Sequence, residues 1–281
     1  MEKHRFVDLV PLVCFTVLSA VAAGLMVGIA GFLLVDLVFP SLGIYLGLVF
    51  VSAVLGLAVS LFHLGKKLRF MRAVVGVNHS WLSREVVVAG MFAVGSGCAF
   101  FLRYFPAPFV RLIAPVCIGT AVLGILLAVT IGLVYRLPTR QTWRGVAYWL
   151  ALPVMVLLLG SGFLLLFHPS FQFALLFLLF WVVDAALALW RTFTFRRLKQ
   201  NPYSFLFPRF LSFNWRVHLF RLILSLMVLV LVVCSCRVSL VLVLIMSLFL
   251  DRLALYLGMA GIEPASEIAR IKSQRMKDAL K

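Results

Sequence analysis

Acidic residues are scarce in this sequence. Nine Asp and Glu stand against 26 Lys and Arg in 281 residues, and charged residues of both signs make up only 12% of the chain. Soluble domains have about a quarter of their residues charged, so a soluble globular fold is excluded. The sequence also has no glycine-rich phosphate loop, no internal repeat and no low-complexity tract. The five cysteines (Cys14, Cys98, Cys117, Cys234 and Cys236) lie in or beside apolar runs, without the spacing of a zinc or cluster site. They read as small core residues. Haem held between helices needs two histidines inside facing spans. His4, His63, His79, His168 and His218 all fall in loops or at the ends of apolar runs. The expectation is therefore no haem and no metal in this chain.

What the chain does have is apolar length. Hydrophobic residues make up 64% of it, and about 20 apolar residues suffice to cross a hydrocarbon layer roughly 30 Å thick as a helix. Eight such runs occur, over residues 9–35, 43–63, 85–103, 112–134, 148–167, 171–190, 219–236 and 238–258. They are continuous Leu, Val, Ala and Phe stretches, not the short alternating strands of a barrel. The predicted fold is all-α: a polytopic membrane bundle of eight transmembrane helices forming a single integral membrane domain, with a short basic tail over 259–281. Only "SCRVS" around Arg237 separates the last two runs, so one bent helix is the alternative to two spans there. The first run is too long for a cleavable signal and is expected to remain in the mature protein.

The placement of the basic residues decides what they are for. With loops assigned alternately to two faces, one face receives Lys3, Arg5 and the 64–84, 135–147, 191–218 and C-terminal segments. Those segments carry 21 of the 26 Lys and Arg, and Arg221 and Arg252, inside the last two runs towards the same face, bring its share to 23, leaving Arg103, Arg111 and Arg237 opposite. This asymmetry predicts a cytoplasmic basic face with both termini inside. Basic loops beside a membrane serve topology and contact with anionic lipid, so the expected partner is membrane lipid and not nucleic acid. The tail "EPASEIARIKSQRMKDALK" reads as a short amphipathic helix on that surface, with Ile268, Ile271 and Met276 as its apolar contacts, or as a solvated end.

Ionisable groups at membrane depth are expensive and mark candidate sites. Asp184, inside "FLLFWVVDAALALW", either pairs with Arg191 or carries a proton. His63 closes the second run and Glu85 opens the third, so both lie at one membrane surface. A quinol losing two electrons and two protons needs such acceptors, a neutral imidazole or a carboxylate. The plainer alternative is that His63 and Glu85 cap and anchor helix ends, with Glu85 near the positive end of its helix and paired to Arg84.

Three stretches carry a resemblance: "FHLGKKLRFMRAVVGVNHSWLSREV" (62–86), "VYRLPTRQTW" (134–143) and "DRLALYLGM" (251–259). In order, spacing and the eight-run layout, the chain resembles the membrane anchor subunit family of dimethyl sulfoxide reductase. The resemblance implies a haem-free anchor in the bacterial cytoplasmic membrane that oxidises menaquinol, an exchangeable cofactor. It also implies two partners, an iron-sulfur electron-transfer subunit and the molybdopterin catalytic subunit it feeds. By position, His63 matches the family's quinol-linked histidine and Glu85 the acidic residue ending the same motif. Ser80, Trp81, Ser83 and Arg84, then Tyr135, Arg136, Thr139 and Trp143, then Arg252 and Tyr256 match motif positions that shape the pocket or a docking surface. Lys67 and Asp251 depart from the family pattern. Two rival functions remain on the sequence: a purely structural anchor, and a proton-coupled transporter using Asp184.

Overall fold

The computed structural model describes residues 2–35, 41–63, 80–134, 146–200, 208–233 and 237–257. Among them are eight long helices and one single turn, and no strand: α1 (Glu2–Leu34), α2 (Leu42–His63), α3 (Trp81–Leu102), α4 (Ala107–Val110), α5 (Ile113–Val134), α6 (Val146–Phe167), α7 (Phe171–Gln200), α8 (Pro208–Val233) and α9 (Arg237–Leu257). The protein is an all-α polytopic bundle. Seven of the helices are long and apolar enough to cross a membrane, and α8 contributes a shorter apolar stretch, Leu219–Val232. In a hydrocarbon layer no water can satisfy the backbone, so each apolar run closes its own hydrogen bonds as a helix.

Helices α1 and α6 form the centre. Their apolar spans are 67% and 72% buried, against 22% for each of α2 and α7. Helix α1 packs on α2, α5, α6 and α9, and α6 on α1, α5, α7 and α9. The α1–α6 contact depends on small residues. A Cβ on Gly24 would come within 2.7 Å of Leu159 Cβ, and one on Gly28 within 3.1 Å of the Gly160 carbonyl oxygen. Glycines four apart on one helix let the backbones meet this closely, and van der Waals packing is what associates helices in lipid.

The contacts also set direction. Gly24 faces Leu159, Gly28 faces Phe163 and Gly31 faces Leu164, so α1 and α6 run parallel. Gly47 faces Phe100 while Gly97 faces Phe50, so α2 and α3 run antiparallel. Gly132, near the end of α5, lies against Trp149, near the start of α6. The end of α2 and the starts of α3 and α6 therefore share one end of the bundle, the end from which the basic loops leave. The last two apolar runs are separate helices packed on each other, not one bent helix. Several helices run beyond the apolar runs read from the sequence: α1 begins at Glu2, α3 at Trp81 and α8 at Pro208, and α7 continues to Gln200. Loss of hydrophobicity ends a membrane crossing but not a helix, and Thr, Phe, Arg and Leu all tolerate helical backbone. The tail over 259–281 lies outside the described residues.

Candidate functional site

Helix α3 opens at the basic end of the bundle. Ser80 occupies its N-cap in extended backbone (φ −133°, ψ 128°) without a side-chain capping hydrogen bond. The first turn divides by exposure. Trp81 and Leu82 face outward, 44% and 49% exposed, while Ser83 and Glu85 are both buried at 5%. The Arg84 guanidinium lies over the Trp81 ring, 4.4 Å from its centroid, an arrangement in which the aromatic face attracts the cation. The pairing of Glu85 with Arg84 allowed by the sequence is not formed: no ion pair reaches Glu85 among the described residues, and its Oε2 is buried without a hydrogen-bond partner. A carboxyl oxygen withdrawn from water and left unbonded is costly, so this turn holds unused bonding capacity. His63 is the last residue of α2, which packs on α3; its side chain, like those of Tyr135, Arg136, Thr139 and Trp143, falls outside the described residues.

A second group of charges is buried in the other half of the bundle. Asp184 on α7 accepts a hydrogen bond from Arg221 Nη2 on α8 at 2.5 Å. Asp251 on α9 is the hub: Arg191 Nη1 stands 2.6 Å from its Oδ1 and Arg221 Nη1 3.0 Å from the same oxygen. Arg252 Nη2 donates to its Oδ2 at 2.6 Å. All five side chains are at most 3% exposed. Tyr148 on α6 lies beside them, with the Arg191 guanidinium 5.9 Å from its ring centroid, and Tyr256 is fully buried one turn beyond Arg252. The network ties α7, α8 and α9 together at the basic end.

The sequence offered Arg191 as the partner of Asp184. The structure gives Asp184 to Arg221 and Arg191 to Asp251. Seven residues along one helix span about 10 Å of axis, whereas an adjacent helix places a guanidinium directly across. Sequence reasoning missed the network as a whole. Its signal was present: Arg221 interrupts an apolar run, and Arg221 and Asp251 lie almost equally far from the 234–236 link, so an α8–α9 hairpin must bring them face to face. Of the residues singled out from the motifs, Arg252 belongs to this network, while Ser80, Trp81, Ser83, Arg84 and Glu85 belong to the α3 turn.

No curated relative and no solved structure matches the chain. A family model described as "DMSO reductase anchor subunit (DmsC)" matches residues 4–257. That match takes in all nine described helices except the first residues of α1, including both groups of buried charge. On this coverage, together with the multi-pass helical architecture, the chain belongs to the DMSO reductase anchor subunit (DmsC) family.

Proposed function

We propose that this chain is the quinol-oxidising membrane anchor of a DMSO reductase-type complex. In this reading it takes electrons from menaquinol and hands them to an iron-sulfur subunit that serves a molybdopterin catalytic subunit. The observation that carries the reading is the buried, unpartnered Oε2 of Glu85 at the end of the bundle where α2 also terminates in His63. A quinol hydroxyl is a donor that such an oxygen lacks. As the ring gives up two electrons to the partner subunit, Glu85 takes one proton and His63 the other, both releasing them to water at the nearby surface, and the product is the quinone. Ser83, buried on the same turn, lines the pocket; Ser80, Trp81 and Arg84 form its rim or the docking face. Tyr135, Arg136, Thr139 and Trp143, outside the described residues, are assigned to the same pocket or docking role by their motif positions. Asp184, engaged by Arg221, holds helices together in this reading and moves no proton.

The basic end is cytoplasmic by the positive-inside rule, in the bacterial inner membrane. The test is quinol-dependent reduction by the complex purified with its partner subunits, together with binding of a menaquinol-analogue inhibitor. His63→Ala and Glu85→Gln are expected to abolish both. Full activity in both variants would return the chain to a purely structural anchor.

A further inference from the structure

The network on α7, α8 and α9 has more donors than acceptors. Among the described residues three arginines surround two aspartates, leaving one surplus positive charge. Arg191 Nε and Nη2, Arg221 Nε, and Arg252 Nε and Nη1 are buried with no hydrogen-bond partner, on side chains only 1–2% exposed. Buried donors are almost always satisfied in folded proteins, and a charged one left unbonded is the most costly kind. Five partnerless nitrogens on three guanidinium groups gathered about one carboxylate call for a compact acceptor with several oxygens and negative charge. Guanidinium forks match phosphate in this way, taking two oxygens at once.

We propose that this cluster binds a phosphate group, with the headgroup of an anionic phospholipid and free phosphate as the two sources of that chemistry. Its position favours the headgroup. Trp190 and Phe220, the immediate chain neighbours of Arg191 and Arg221, are 61% and 50% exposed, and Phe193 is 57% exposed. Outward aromatic rings of this kind settle at the membrane–water boundary, which puts the arginines at headgroup depth. Basic pockets between helices at that depth recognise anionic lipid. The outward Leu189, Ile223 and Leu226 on the same helices offer the acyl chains an apolar surface. Binding joins α7, α8 and α9 through a ligand as well as through Asp251, and it is independent of the quinol reading at Glu85.

The test uses the full chain, purified in detergent with any subunits it retains and stripped of lipid. Thermal midpoint and lipid retention by native mass spectrometry are measured with phosphatidylglycerol, with a neutral glycolipid and with inorganic phosphate. Phosphatidylglycerol is expected to be retained and to raise the midpoint, and the glycolipid to do neither. Stabilisation by inorganic phosphate alone would support the site and assign it to a soluble anion. Arg252→Gln should weaken the affinity about tenfold or more, the loss of one charged hydrogen bond. If that variant is not recovered from membranes, Arg252→Lys, which keeps the charge without the planar fork, takes its place with a smaller loss. Equal response to phosphatidylglycerol and glycolipid with none to phosphate, or unchanged affinity in an Arg252 variant, overturns the proposal.

Discussion

Glu85 and Asp251 are both carboxylates sealed inside the same end of the bundle, 5% and 2% exposed, yet their surroundings are opposite. Among the described residues Glu85 meets no cation, and its Oε2 has no hydrogen-bond partner. Helices α7, α8 and α9 converge three guanidinium groups on Asp251. A charge shared among several ion pairs fixes the geometry of its helices, because removing any member strands the others in low dielectric. A lone carboxyl with open bonding capacity fixes little and is available to a transient ligand. Within one membrane protein, then, burial of a carboxylate alone does not say whether it is structural or functional; its count of partners does.

The sharpest way to break this comparison is to remove each carboxylate. Asp251→Ala leaves Arg191, Arg221 and Arg252 without their shared acceptor. The expected cost is about 3–5 kcal/mol of stability, the range for stranding a buried charge, read as a large fall in thermal midpoint and in protein recovered from membranes. A melt indistinguishable from the parent would remove the network from any account of stability. Glu85→Gln should do the reverse: quinol-dependent turnover falls about 10²–10⁴-fold, the usual contribution of a positioned proton acceptor, while the melt stays put. A joint loss of stability and activity would make Glu85 a structural residue like Asp251.

Two glycine substitutions calibrate these effects against packing without charge. Gly132→Ala places a Cβ 2.5 Å from the Trp149 carbonyl oxygen and 2.9 Å from its Cα. Backbone must move, so α5 and α6 are pushed apart at a cost of about 1–3 kcal/mol, measured by thermal unfolding in the same detergent. Gly90, on the helix that carries Glu85, has nothing within 4 Å of where a Cβ would be. Gly90→Ala is expected to change stability by no more than about 0.5 kcal/mol and to leave turnover unaltered; a strong effect there would mean that α3 is covered by another subunit in the assembled complex.

The helices were legible because hydrocarbon enforces one local answer. A run such as Ile113–Val134, free of charge throughout, has no alternative to closing its own hydrogen bonds, so its bounds fall within a residue or two of the apolar run. Where the run turns polar the constraint disappears, and the 191–218 stretch, read as a connection, supplies instead the end of α7 and the start of α8. The candidate sites divide in the same way. Glu85 was visible as an acid opening an apolar run. Its lack of a cation was not, since Arg84 is its chain neighbour and only the folded turn directs that guanidinium over Trp81.

Composition and charge placement by themselves determined that this chain crosses a membrane many times as helices, with its basic loops on one face, because the cost of an unbonded backbone and of a buried charge depends on residue type and run length alone. Which buried charges meet was decided only by tertiary structure. Asp184 and Arg221 are 37 residues apart, and no local rule reaches across that distance; the packing of α7 on α8 brings them together, while α3, packed on α2 and α5, meets no cation for Glu85 among the described residues.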